Sequence, residues 1–371
     1  MSRARDFADL AGSADAGGLT GRNILINGAM QVAQRGTSTA SISSGSNFVL
    51  DRTKLNLNSG TWTMSQSTTV PSGQGFSHSL KLDCTTADTS LGSTDYLLVQ
   101  QLIEGQNVQH LAFGTSGAKS VTVSFWIRSN KTGTYTCEVQ QQDSGGSFYQ
   151  NAKAFTISSA DTWEKKEITF VGNTSNNIIN SNDVGFYATI WLGTGASRSS
   201  GTFTDGTWHN TTANRIHSSQ VNLADSTDNE LYLTGFQLEV GEQATPFEHR
   251  SFGDELAKCQ RYYFRQEYDS AIPYLGAGGV YRNTLAMLVM NLPVAMRAAP
   301  TAIDQSGTAS HYGSWGNEAT TNCSAVPVIR AGDSKTSVNV DLTFNTLNSA
   351  TGTYLYRITN TSGYLGVSAE L

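Results

Sequence analysis

The sequence predicts an all-β protein built from two β-sandwich domains, and three observations carry that prediction. Charged residues make up only 15% of the 371 residues, against about 25% in an ordinary soluble domain. Ser, Thr, Asn, Gln and 36 glycines take their place; β-branched Thr suits a pleated surface, and Gly and Asn tolerate turn backbones. Several segments alternate apolar and polar residues with period two, bounded by Gly, Asn, Asp or Ser, as sandwich strands do. The length exceeds the roughly 250–300 residues at which a single core stops growing, so two or more domains are expected.

Residues 1–21 stand apart. Charge alternates along Arg3, Arg5, Asp6, Asp9 and Asp15, while Phe7, Leu10 and Ala11 fall at helical spacing before Gly12, Gly17, Gly18 and Gly21. This reads as a short amphipathic segment and a linker, or as a disordered tail. It is too short to fold alone, so order there requires a partner that covers Phe7 and Leu10. Residues 1–18 lack the apolar run of a secretory signal.

Residues 22–250 read as the first β domain. Val121, Val123, Phe125 and Ile127 share one strand face. Ile168 and Phe170 close a segment opened by Trp163, and Val184, Phe186, Ala188 and Ile190 repeat the pattern. In the last segment Leu231 and Leu233 share a parity, but Phe236, Leu238 and Val240 take the other. A β-bulge at Gly235 would keep all five inward.

Residues 251–260 read as a short connecting helix. Ser251 and Asp254 fit a capping box, with Phe252, Leu256 and Cys259 on one side. Residues 261–371 read as a smaller C-terminal β-sandwich. Its strands are signalled by Leu285–Met290, Val326–Ile329, Val338–Phe344 and Tyr354–Ile358. No repeat with a period of 20–50 residues is visible, which argues against a solenoid.

Composition also narrows function. The net charge is -6 and no Lys/Arg cluster occurs, so nucleic-acid binding is not expected. No run of about 18 apolar residues exists to insert into a membrane. Cys84, Cys137, Cys259 and Cys323 lack metal-ligand spacing and read as buried free thiols. Asp225, Asp228 and Glu230 could present oxygens to calcium, but they lack the spacing of a calcium loop and read as a solvated turn, and no metal or cofactor is expected. No nucleophile elbow, zinc-protease motif or phosphate loop is present.

Aromatic residues in polar loops are the candidates for binding, because sugar rings stack on Trp and Tyr faces. Trp62, Trp191, Trp208 and Trp315 lie in or beside Gly/Ser/Thr/Asn-rich stretches. Trp191 to Asn210 places Trp191, Arg198, Asp205 and Trp208 on one long loop, and loops of that length are functional or disordered. Tyr312 and Trp315 repeat that character in the second domain. Trp126 and Trp163, inside strand patterns, read as core.

Several blocks then resemble one group. Gly21-Arg-Asn23-Ile-Leu-Ile-Asn27-Gly28 through Gln34-Arg35-Gly36-Thr37 resembles the opening common in bacteriophage tail-fibre proteins. Asp51-Arg52 is similar to a later block, with Thr53 where the group has Trp. Ser124-Phe-Trp126-Ile-Arg128, Thr162-Trp163, Gly235-Phe-Gln237-Leu-Glu239, Ala244–Ser251 and Glu255–Tyr263 are similar to the blocks that follow. Together they cover residues 21–265. Within them Asn27-Gly28 suits a turn, and Pro246 reads as the end of the last strand.

The resemblance implies a jelly-roll domain like those of carbohydrate-binding modules, in a virion-surface fibre assembled in the host cytoplasm. It implies a homotrimer. The detached N-terminal segment, the two β domains and the aromatic loops lead to the further expectation that the fibre attaches to tail or capsid proteins through the N-terminal segment and meets host surface glycans with the distal C-terminal domain. It fixes no binding residue. A head fibre or capsid decoration protein fits the same features. A polysaccharide depolymerase fits them less well, since it would need two carboxylates about 5–9.5 Å apart, and the expectation is a protein without enzymatic activity.

Overall fold

The computed structural model describes residues 21–268, 270, 274–316, 319–330, 334–347 and 353–371. Phe7 and Leu10 lie outside the described residues. The chain divides into one compact unit that runs to Glu255 and includes the last residue, Leu371, and a second spanning Leu256–Glu370.

Twelve strands build the first unit. They are β1 (Ser38–Ile42), β2 (Gly45–Phe48), β3 (Lys54–Leu57), β4 (Thr61–Ser67), β5 (Ser79–Thr86), β6 (Tyr96–Glu104), β7 (Val121–Ser129), β8 (Gly133–Gln142), β9 (Phe148–Ile157), β10 (Glu164–Phe170), β11 (Val184–Thr194) and β12 (Glu230–Val240). They form two six-stranded antiparallel sheets, ordered β1-β4-β5-β12-β7-β10 and β2-β3-β6-β11-β8-β9. From β5 onward the chain crosses repeatedly between the sheets, returning through β6, β7, β8–β9, β10, β11 and β12 in a jelly-roll-like path.

The period-two segments supply the core between the sheets. Val121, Val123, Phe125 and Ile127 are fully buried, as are Phe186, Ala188 and Leu192. Trp62 joins them, its indole donating to the Ser59 carbonyl. The bulge in β12 falls where the parity change requires it. Thr234 pairs with Trp126 and Gln237 with Ser124, so Gly235 and Phe236 oppose Phe125 alone. Gly235 has φ +63, and a Cβ there would lie 2.7 Å from the Phe76 ring. Leu231, Leu233, Phe236 and Leu238 therefore all face the core.

Two tryptophans depart from expectation. Trp126 sits between the inward Phe125 and Ile127, so strand alternation sends it to the outer face, where it is half-buried. Trp163 precedes β10 and stands edge-on to Tyr232, also half-buried.

The blocks at residues 21–53 and 236–255 close the sandwich through buried polar contacts. Asn27 takes a left-handed backbone, φ +59. Its side-chain amide donates to the Val32 and Asp51 carbonyls at 2.8 and 2.9 Å and accepts the Val32 N–H at 2.9 Å. Asn23 accepts the N–H groups of Leu25 and Leu238 and donates to the Phe236 carbonyl. Gly28 passes so near β12 that a Cβ would lie 2.0 Å from the Phe236 oxygen. Asp51 accepts from Gln34 and lies 3.6 Å from Arg35. The last strand of this unit ends at Val240, short of Pro246, and the chain beyond it brings Thr245 back to donate its N–H and hydroxyl to Glu239.

Glu248 completes this clasp, accepting the backbone N–H groups of Asn23 and Gly21 beside Arg250. Burial alone would raise its pKa; the two N–H donors and Arg250 outweigh that and hold it below the usual carboxylate range. The unfolded chain therefore binds this proton at higher pH than the folded chain. The stabilisation is complete above the ordinary carboxylate value of 4.5 and is lost as pH falls through the lower folded value. Glu248→Gln is expected to flatten the acid limb of stability against pH below that point. Urea midpoints measured across a pH series check this, and an unchanged slope would remove Glu248 from the account.

Helix α1 (Phe252–Gln260) follows. Ser251 Oγ accepts the Asp254 N–H at 3.2 Å and donates to the Asp254 carboxylate at 2.6 Å. The buried side is Glu255 and Cys259, while Phe252 is 57% exposed and Leu256 half-buried. The predicted apolar face is rotated because Glu255 turns inward to accept the Asn27 N–H at 2.5 Å, with Arg250 at 3.4 Å.

The second unit contains β13 (Tyr263–Glu267), β14 (Tyr274–Arg282), β15 (Leu285–Asn291), β16 (Ile303–Gln305), β17 (Tyr312–Gly316), β18 (Ala319–Asn322), β19 (Val328–Ile329), β20 (Ser337–Thr343), β21 (Thr353–Ile358) and β22 (Tyr364–Ser368). A seven-stranded sheet, β18-β17-β21-β14-β15-β20-β19, and a three-stranded sheet, β13-β22-β16, share one core. Ala286, Leu288 and Met290 from β15, Val338, Val340 and Leu342 from β20, and Leu365 and Val367 from β22 meet there. All four cysteines are buried free thiols.

Candidate functional site

The sheet β2-β3-β6-β11-β8-β9 has a second face, directed away from the core. Strand register fixes which side chains occupy it. Trp191 pairs with Leu98 and Thr136, Thr189 with Gln100 and Glu138, and Tyr187 with Leu102 and Gln140. On β3, Lys54 pairs with Gln100 and Asn56 with Leu98. The intervening residues, such as Leu55, Val99, Cys137 and Ile190, belong to the core. The outer face is therefore a grid of amides, aromatic rings and aliphatic side chains on a rigid sheet.

The segment between Thr194 and Val221 folds back over one end of this grid. Ile216 packs with Trp191 and Leu98. Arg215 reaches the fully buried Glu138, its Nε at 2.8 Å from Oε1 and Nη2 at 2.7 Å from Oε2. The Trp191 indole N–H donates to the same carboxylate at 2.9 Å. Burial alone would lower the Arg215 pKa; the Glu138 charge outweighs it and raises the value. Arg198 lies 5.0 Å over the Tyr96 ring and 5.8 Å over Trp191, and its Nη1 donates to the Thr94 carbonyl at 3.0 Å. Burial, and then the neighbouring Arg215, lowers the Arg198 pKa.

What stays open is a cleft lined by Lys54, Asn56, Tyr96, Gln100, Gln140, Tyr187, Trp191, Arg198 and Arg215, among others. Tyr187 stands edge-on to Phe148, which is 42% exposed. Burial raises the Tyr187 pKa, partly opposed by Arg215, so the phenol stays neutral and able to donate. Amides and phenols match sugar hydroxyls in both donor and acceptor roles, and aromatic faces match the apolar faces of sugar rings. The carboxylate on this sheet face nearest the arginines, Glu138, is fully engaged by three donors.

The six side chains singled out from sequence separate in the structure. Trp191 and Arg198 come together at the cleft, but Trp191 is only 2% exposed; it forms part of the floor and presents no free stacking face. Asp205 is exposed and accepts the Ala154 N–H at 3.1 Å. Trp208 is half-buried, its indole donating to the Val171 carbonyl at 2.7 Å and its ring edge-on to Phe113; it closes the rim of the core. Tyr312 is fully buried in the second unit and anchors the Ser306 N–H and the Tyr364 carbonyl. Trp315 lies on β17 opposite Leu355, half-buried.

The acidic turn likewise resolves into ion pairs. Asp225 pairs with Lys131, and Glu230 with Lys81 at 3.0 Å. Sequence reasoning missed Tyr96, Tyr187, Gln100, Gln140 and Arg215. The available signal was the second parity of β6, β8 and β11, where Tyr, Gln, Glu and Trp recur.

No protein-family model matches the chain, and no curated protein matches its sequence. Solved structures do show likeness. The enzymatically active domain of tailspike protein 4 of bacteriophage CBA120 is 11% identical with a TM-score of 0.32, over 59% of this chain and 21% of that one. The chain thus spans about a fifth of that tailspike's length. The C-terminal family 22 carbohydrate binding module of a Clostridium thermocellum protein is 13% identical with a TM-score of 0.30, over 57% of this chain and 98% of that one. The module TmCBM61, solved with β-1,4-galactotriose, is 12% identical with a TM-score of 0.27, over 59% of this chain and 99% of that one.

Proposed function

We propose that the protein is a non-enzymatic fibre protein on the virion surface of a tailed bacteriophage, and that its first β domain holds a host surface glycan in the cleft over the outer face of β3, β6, β11 and β8. The observation that carries the binding reading is that cleft, where Tyr187, Tyr96, Asn56, Gln100 and Gln140 converge on a rigid sheet. A preorganised array of rings and amides is what weak, repeated sugar contacts require. The virion reading is supported by the sequence blocks in residues 21–265. These form the polar clasp of the fold, so their resemblance speaks to a kind of domain and is silent on receptor choice.

In this reading the fibre is a homotrimer. It joins other tail or capsid proteins through residues 1–21, with Phe7 and Leu10 as the apolar contacts. The glycan site lies in the first domain, which replaces the assignment of binding to Trp208 and the C-terminal domain.

Purified protein is expected to bind host cells and to block infection. Tyr187→Ala is expected to weaken glycan binding by about 10-fold or more, the effect of losing one aromatic contact with its hydrogen bond. Glycan-array and cell-binding titrations check both, and unchanged affinity in Tyr187→Ala would move the site elsewhere. Protein lacking residues 1–20 should still compete for cells yet be absent from labelled particles.

A further inference from the structure

We infer that a second copy of this chain covers the outer face of the seven-stranded sheet in the second unit, and that copies of the protein associate there. This deepens the homo-oligomeric part of the proposed function, rests on that reading, and does not involve the glycan cleft.

Exposed apolar side chains are not scattered evenly over the molecule. Among the described residues eight large apolar side chains are strongly exposed. Five of them, Tyr274, Tyr281, Val289, Val328 and Leu355, stand on this one sheet, each between 38% and 51% exposed. Register sets them on one side of it. The alternate residues Leu288 and Met290 of β15, Val340 and Leu342 of β20 and Tyr356 of β21 fill the core, which turns Val289, Asp341 and Leu355 outward. Trp315 lies opposite Leu355, and Leu355 opposite Ala277. One row on, Gly279 lies opposite Met287, Met287 opposite Asp341, and Asp341 opposite Val328. Single exposed apolar residues are ordinary on a protein surface, whereas a contiguous group marks a contact.

Three properties of the face select a second copy as its occupant. The first is its relief. Between Tyr274 and Tyr281 the outward positions of β14 carry only Ala277 and Gly279, and a Cβ placed on Gly279 meets nothing within 4 Å. The result is a trough flanked by Leu355 on β21 and by Met287 and Val289 on β15, so the ridge of one copy enters the trough of the next. The second is its charge. Arg330 and Asp341 lie 3.6 Å apart, with the guanidinium 4.3 Å over the Tyr281 ring. Arg282 and Arg357 stand at the margins, the latter reaching Thr320 at 3.5 Å. An apolar centre with its charges paired or at the rim is the usual anatomy of an interface, and it sets no unpaired like charges against each other when identical faces meet. The third is its size. Ordinary strand spacing and rise make the face roughly 20 Å across the strands and 24 Å along them, which suits an interface at the small end of the stable ones, about 600 Å² per partner. Three such faces turned towards one axis give the proposed homotrimer.

Sedimentation equilibrium of the full chain tests this. Wild-type protein is expected to be an oligomer. Leu355→Asp and Val289→Asp each put a carboxylate at the centre of the face and should raise its dissociation constant about 30-fold or more. Val171→Asp, at a residue 56% exposed on the first unit, should leave it unchanged. Unchanged glycan binding reports that the variants are folded. A second measurement does not depend on the Asp variants. All four native cysteines are buried, so Val289→Cys offers the one reactive thiol; it should be shielded from a maleimide in the oligomer and label on dilution to protomers. A monomeric wild type overturns the inference and the homo-oligomeric reading together. An oligomer whose dissociation constant survives both Asp substitutions, or in which Val289→Cys labels freely, overturns the inference and leaves the homo-oligomer standing. A monomeric wild type that loses glycan binding in Leu355→Asp would make the face a sugar platform and likewise overturn it.

Discussion

Asn27→Ala is expected to destabilise the first β domain by about 3–5 kcal/mol, a large part of the roughly 5–15 kcal/mol that holds a typical domain folded. The Asn27 amide is fully buried and meets three backbone groups: the Val32 N–H and the carbonyls of Val32 and Asp51. Alanine meets none of them. Each buried backbone group left without a partner costs about 1–3 kcal/mol, and the costs are not additive because neighbouring groups relax together. The left-handed backbone at φ +59 adds to the cost, since Asn tolerates that region better than Ala. Asn27→Asp is a sharper probe. It keeps the acceptor for the Val32 N–H but loses both donors and brings a carboxylate next to two carbonyl oxygens. It is expected to be at least as damaging as alanine. Urea denaturation monitored by tryptophan fluorescence checks both; a loss below 1 kcal/mol for either would mean that the clasp is peripheral to stability.

This residue also marks how far the sequence could be read. Asn27-Gly28 was legible as a turn, because few other pairs combine a left-handed backbone with the absence of a Cβ. That the turn is a buried junction holding β12 and α1 was not legible. Its partners Phe236 and Glu255 lie more than 200 residues away, and no local pattern reports such a contact. The same limit explains the rotated helix. Phe252, Leu256 and Cys259 form a sound apolar stripe by spacing, but Glu255 has a specific buried acceptor role that outweighs it.

The strand patterns were legible for a complementary reason. Inward positions of a sandwich are selected for one property, apolarity, so Val121, Val123, Phe125 and Ile127 announce themselves. The parity break in Leu231–Val240 even located the bulge at Gly235. The outer face of β6, β8 and β11 follows no such single rule. There Tyr187, Gln140 and Arg198 are useful only in combination, and the combination exists only once register sets the strands side by side. Searching for tryptophans in polar loops therefore found Trp208, which caps the core, and Tyr312, which anchors a backbone carbonyl, ahead of the cleft.

The remaining large effect concerns the pair beneath that cleft. Glu138→Leu is expected to cost about 3–5 kcal/mol, because it leaves the Arg215 guanidinium largely buried without a counter-charge, and the Trp191 indole loses its acceptor as well. Arg215→Met should cost a similar amount by stranding Glu138, which is fully buried. The double variant Glu138→Leu/Arg215→Met removes both charges and is expected to recover most of the loss, since apolar replacements of a buried ion pair are often near neutral. A coupling energy of at least about 2 kcal/mol in the double-mutant cycle is the measurement, and independent, additive losses would contradict it. The double variant also separates stability from function. Arg215 fastens the segment that carries Arg198, and the register of that segment over Trp191 depends on a directional, two-pronged contact that Leu and Met cannot supply. The fold should therefore be restored while glycan affinity stays low. If affinity returns together with stability, the ion pair serves only to fill space under the cleft. If it does not, Glu138 and Arg215 are positioning residues that act by holding the segment over Trp191 in register.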